Sequence, residues 1–177
     1  MSSPSELAIR HQPVQARSQA RVEAILNATK ELLVSHGADA VSMTDLAAAA
    51  GLSKQLLYRY FPSKRAVLHE LSTAVIAENR ELLTFDFDAA HGSPTEAFAE
   101  AIRAFCELNW RQPYRQALRA AIVSDAELSQ LDLADSEDIA EQIARGLAEH
   151  LSTVDERTIR NRALLAIELL DGLVRIT

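Results

Sequence analysis

The chain has 177 residues, and alanine and leucine fill 54 of them while glycine and proline number five each. Strong helix formers therefore dominate, the turn residues of a many-stranded protein are missing, and an all-β fold is excluded. The formal charge of −7 divides unevenly, +2 over residues 1–70 and −9 over 71–177, which suits a weakly basic head that meets a polyanion and an acidic body that avoids it.

Residues 1–15 carry Ser2, Ser3, Pro4, Pro13 and the basic Arg10 without periodicity, and read as a flexible basic arm. From residue 16 to 36, Val22, Ile25, Leu26, Thr29, Leu32 and Leu33 recur at three and four, one face of a helix that Gly37 ends. Ser42 with Asp45 is a capping-box start for a short helix over residues 46–50, closed by Gly51. Ser53 caps a second short helix, 54–61, that Pro62 stops, and Ser63 caps a long one, 64–83. Residues 84–92 read as a loop, and Ser93, Pro94 and Glu96 open a helix to about residue 110. Pro113 restarts the chain into a helix through Val123. Ser124 with Glu127 opens one short turn to Leu131, Asp135 or Ser136 caps a helix to Leu151, and Thr153 with Glu156 begins the last. The expectation is an all-α protein of about nine helices.

Two short helices joined by Gly51-Leu52-Ser53 behind a longer supporting helix have the shape of a helix-turn-helix. Its second helix opens with Lys54 and Gln55, whose side chains match the edges of guanine and adenine respectively, and Tyr58 lies one turn on. Thr44 sits at a helix N-terminus, where backbone N–H groups and the dipole favour a phosphate, and Lys64 adds a positive charge at the next. A helical protein-interaction module with a purely structural helix-turn-helix is the alternative, and salt-dependent duplex binding separates the two.

The order Thr44-Asp45-Leu46-Ala47, Ala50-Gly51-Leu52-Ser53 and Leu57-Tyr58-Arg59-Tyr60-Phe61-Pro62-Ser63-Lys64-Arg65-Ala66-Val67-Leu68 resembles the DNA-binding domain of the TetR family of bacterial transcriptional repressors. The resemblance covers about residues 16–68. It implies that Lys54, Gln55 and Tyr58 face bases and that Thr44, Ser53, Arg59, Tyr60 and Lys64 meet phosphates. Leu56 departs from the small hydroxyl residue of many relatives. The implied protein is a ligand-responsive regulator, a repressor in sense, that binds a palindromic double-stranded operator as a homodimer. Residues 69–177 would then bind a small-molecule effector and dimerise, and a ligand acts by changing the separation of two recognition helices.

In the body, Phe98, Phe105, Cys106, Asn109, Trp110 and Tyr114 form an aromatic and polar set on two adjacent helices, a candidate wall for an apolar or amphipathic effector. Ala140, Ala144 and Ala148 make a small-residue stripe, and Leu165 and Leu169 give the last helix a second apolar side; these are the candidate dimer face. The five histidines are scattered without metal spacing, and no nucleophile elbow, phosphate loop or dinucleotide fingerprint occurs, so neither metal, cofactor nor enzymatic activity is expected. The single Cys106 excludes an internal disulfide. No apolar run reaches the roughly 18 residues of a membrane span and no apolar signal core opens the chain, which predicts a cytoplasmic protein away from membranes.

Overall fold

The computed structural model describes residues 16–82, 94–148, 151 and 153–174. Among them are eight helices and no strands: α1 (Ala16–Ala40), α2 (Met43–Ala49), α3 (Lys54–Tyr60), α4 (Lys64–Leu82), α5 (Pro94–Arg111), α6 (Tyr114–Ser124), α7 (Ala126–Ala148) and α8 (Glu156–Val174). The expected arm over 1–15, the loop over 84–92 and the cap at Ser93 lie outside the described residues. No helix among the described residues is long and apolar enough to cross a membrane.

The chain packs as two units, one formed by residues 1–75 with 117–125 and the other by 76–116 with 126–177. The long α4 and the shorter α6 each contribute to both. In the first unit, Val22 and Ile25 of α1, Leu46 and Ala47 of α2, Leu57, Tyr60 and Phe61 around α3, and Ala66 and Val67 of α4 share one core. Ile25, Leu46, Leu57 and Phe61 are fully buried in it. Arg65 at the start of α4 pairs with Asp125 just after α6, Nε to Oδ2 at 2.7 Å, within the same unit.

The local signals in this unit have physical counterparts. Gly37 has φ 72° and breaks the helical conformation of α1 before its last turn. The Ser42 hydroxyl accepts from Asp45 N while the Asp45 carboxylate accepts from Ser42 N at 3.0 Å, a complete capping box that starts α2 at Met43, three residues before the expected position. Gly51, with φ 65°, lets its own N–H reach Ala48 O at 3.1 Å and that of Leu52 reach Ala47 O at 2.9 Å. This paired closure needs a left-handed residue, and it folds Leu52 back onto the core.

In the second unit α7 lies along α8, and Ile139, Ala140, Ile143 and Ala163 form a core that Leu147, Leu164 and Ile167 extend. Here two expectations are corrected. The break predicted before residue 136 does not occur, and α7 runs uninterrupted from Ala126 to Ala148, which reduces nine helices to eight. Asp135 spends its carboxylate on Arg80 of α4, so it does not turn back on its own backbone, and an Asp or Ser in a helix interior costs only a fraction of a kcal/mol. The last helix is capped by Asp155 and not by Thr153: the two carboxylate oxygens take the N–H of Thr158 at 3.0 Å and its hydroxyl at 2.7 Å. Ala140 and Ala144 are fully buried inside the chain, Ala140 in the core shared with Ala163 of α8, whereas Leu165 and Leu169 stay exposed. Ala148 is half-buried.

Candidate nucleic-acid interface and effector cavity

On α3 the residues divide cleanly. Lys54, Gln55, Tyr58 and Arg59, spaced i, i+1, i+4, i+5, are exposed, and Leu57 and Tyr60 are buried against α1 and α2. The Ser53 hydroxyl accepts from Leu56 N at 3.2 Å and fixes where the exposed face begins. Thr44, in the first turn of α2, is also exposed. A short helix with donors on its outer face and a rigid apolar back can be laid into a groove without rearrangement.

Two of the expected phosphate contacts are already engaged. The ring of Tyr60 is a core residue, and its hydroxyl accepts from Arg21 Nη1 at 3.3 Å; hydrogen bonds from Arg21 and Ser18 hold the phenol below its ordinary pKa. The Lys64 ammonium donates to Ala38 O at 2.9 Å and Asp39 O at 3.5 Å, closing the carbonyls left by the break at Gly37. Sequence reasoning missed Arg21, which stands one turn ahead of the buried Ile25 and so on the side of α1 turned toward the core, where it reaches Tyr60.

The second unit contains a cavity. Phe98 and Phe105 line it, as expected, with Ile102, Ile139, Ile143, Ile167 and Leu170; Asn79, Asp132, Asp135 and Ser136 supply its polar side. It is partly open to solvent, with free space of about 30 Å³. Cys106, Asn109, Trp110 and Tyr114 are not among its walls: Cys106 and Trp110 are exposed, Trp110 to 85%, Asn109 is buried and donates to Phe105 O at 2.9 Å, and the buried Tyr114 donates to Gln112 Oε1 at 2.9 Å. The missed residues had a signal. Asp132, Asp135, Ser136, Ile139 and Ile143 follow the i, i+3, i+4, i+7, i+11 spacing of one helix face.

Around this cavity the C-terminal end of α4 is held by charge. Arg80 pairs with Asp135 through Nε and with Asp138 Oδ2 at 2.8 Å. The buried Arg115 pairs with Glu78 and donates to Asn79 Oδ1 at 2.8 Å. Burial raises the pKa of Asp135 above the ordinary carboxylate value, a penalty that its bond to Arg80 counters. Among the described residues no group of three or more His, Cys, Asp or Glu is placed to hold a metal ion.

The likeness to known proteins spans both units. Residues 25–71 match the family described as bacterial regulatory proteins, tetR family, and residues 92–177 match a tetracyclin repressor-like C-terminal domain. The HTH-type transcriptional regulator AlkX of Mycobacterium tuberculosis is 27% identical over 151 residues, which cover 84% of this chain and 71% of that one. A solved structure described as a transcriptional regulator from Pseudomonas aeruginosa PAO1 has a TM-score of 0.70 at 24% identity, covering 88% of this chain and 78% of the other. The flavonoid-responsive regulator FrrA has a TM-score of 0.60 at 23% identity, covering 89% and 83%; at these identities the likeness is one of fold. With the exposed α3 face and both family matches in one chain, the protein belongs to the TetR family of bacterial regulatory proteins and is a ligand-responsive transcriptional regulator that acts on DNA as a dimer.

Proposed function

We propose that the protein is a repressor whose residues 16–68 read a palindromic operator in the cytoplasm, with residues 69–177 binding the effector and joining the dimer. It works by binding, without turnover. Lys54, Gln55 and Tyr58 meet base edges, and Thr44, Ser53 and Arg59 meet phosphates. Tyr60 and Lys64 contribute less, since their polar atoms are engaged by Arg21 and by two carbonyls. The observation that carries the assignment is the exposed face of α3 backed by a fully buried Leu57.

Leu165 and Leu169 of α8, 60% and 59% exposed, supply the apolar dimer face, and the cavity of the second unit takes the effector. A symmetric pair of recognition helices addresses half-sites roughly 34 Å apart, so a ligand that favours another spacing releases DNA.

Selection of bound duplexes from a random pool should yield two inverted half-sites. On the selected duplex Gln55→Ala should lose preference at one base position, at about 1–3 kcal/mol per half-site, while Arg59→Ala should weaken all sequences alike and flatten the salt dependence. Unchanged binding by both variants would remove α3 from the interface. Leu165→Asp should shift the protein toward monomer in sedimentation, because it buries an unpaired charge.

A further inference from the structure

We propose that the cavity of the second unit takes an apolar cation: an ammonium group held by Asp135 and Ser136, on a hydrocarbon or aromatic body lying among Phe98, Ile102, Phe105 and Ile143. The proposal rests on the reading of this cavity as the effector site and adds the chemical class of the ligand.

Three observations point the same way. First, the charged side chains lining the cavity, Asp132 and Asp135, are both acidic, and no basic residue lines it among the described residues. An anion would meet two carboxylates, of which Asp135 already pairs with Arg80. Second, Ser136 of α7 is 5% exposed and lines the cavity, and its hydroxyl makes no side-chain hydrogen bond among the described residues. A hydroxyl facing the cavity can accept from a ligand N–H, which a plain hydrocarbon does not offer. Third, the present counter-ion of Asp135 can be exchanged. Arg80 is 43% exposed at its side chain and already reaches the outward Asp138, so a ligand cation that takes Asp135 leaves Arg80 with Asp138 and water.

The shifted titration of Asp135 agrees with this. Burial disfavours its charged form, so this carboxylate needs a cation beside it, whether Arg80 or the ammonium of a ligand. The rings of Phe98 and Phe105 offer faces that attract a cation. Free space of about 30 Å³ holds a water or two, so the ligand body enters by displacing side chains, and occupancy is itself a structural change.

The test is calorimetric titration of the full-length protein at neutral pH with three ligands of one chain length: octylammonium, octanol and octanoate. Octylammonium should bind about tenfold or more tighter than either of the others. Asp135→Asn should bring the three close to equal, and Ser136→Ala should weaken the ammonium selectively. If Asp135→Asn fails to fold, Asp132→Asn on the half-buried rim should still narrow the preference, and the ratio in the unmodified protein needs no variant. Ile102→Trp, which fills the cavity, should abolish binding of all three. Octanoate or octanol binding as tightly as octylammonium, with Ile102→Trp still abolishing it, overturns the cation and leaves the cavity as the effector site. Octyl binding indifferent to Ile102→Trp, or no binding at all, removes the cavity itself and the proposal with it.

Discussion

The helix boundaries around α2 and α3 in the first unit and the polar side of the cavity in the second are set by different kinds of polar contact. In the first, Ser42, Asp45, Ser53 and Gly51 act on backbone within three to five residues of themselves, and they set helix starts and stops that leave the apolar side chains facing one core. In the second, Asp135, Arg80, Arg115 and Asn79 act on partners 36 to 58 residues away. Local capping needs only neighbours in sequence, whereas a charge network needs the finished fold, so the same residue types carry opposite structural meanings in the two regions.

The strongest way to break this contrast is through two aromatic residues. Phe61, fully buried at the end of α3, should cost about 3–5 kcal/mol when changed to alanine, as transfer and cavity terms add. Trp110→Ala, at an 85% exposed position of α5, should stay within about 0.5 kcal/mol. Denaturant unfolding followed by circular dichroism reads both. Comparable losses would mean that Trp110 is covered in the folded protein.

Two serines provide a finer comparison. Ser42→Ala removes a hydrogen-bonded cap and should destabilise by about 1 kcal/mol. Ser136→Ala removes a buried hydroxyl without a hydrogen bond among the described residues, and should be neutral or stabilising. A loss at Ser136 equal to that at Ser42 would restore it as a cap.

Those two serines also show what was legible. Ser42 was readable because Asp45 stands three residues on and glycine closes the short helix that follows. Ser136 gave the same signal, Asp-Ser before an apolar stripe, but its environment is set by α4, α5 and α8, which no local pattern names. The exposed face of α3 was legible for the same reason as the first cap: Lys54, Gln55 and Tyr58 take their positions from α3 alone. The cavity was half legible. Phe98 and Phe105 face it, while Cys106 and Trp110 lie on the exposed side of the same helix, a division that depends on how α5 is rotated against its neighbours.

A smaller effect separates the units by pH. The Asp45 carboxyl, hydrogen-bonded by Ser42, titrates below the ordinary 3.8, so its stabilising contribution is complete above that pH and is lost as pH falls through the folded-state value. Asp135 has the opposite sign. Burial raises its folded-state value, so acidification relieves a penalty, and the relief begins above pH 3.8. Carboxyl-detected nuclear magnetic resonance should place the Asp135 midpoint above that of Asp45, and the reverse order would contradict the burial of Asp135. Smallest of all should be the response of Trp110 emission to a ligand in the cavity, since the indole is not among the cavity walls; a large change would bring Trp110 back to the site.

The packing of residues 117–125 with the first unit has a practical side for anyone recombining regulators. A DNA-reading head cut after Val75 and grafted to a foreign sensor would leave behind the stretch containing Leu118, Ile122 and Asp125, and with it the carboxylate that Arg65 grips. The other part would keep Glu78, Asn79 and Arg80, but on a stub of α4 severed from its first three turns. A transplantable head therefore consists of two stretches of chain that are not contiguous, and a chimera should carry α4 and α6 whole from one parent.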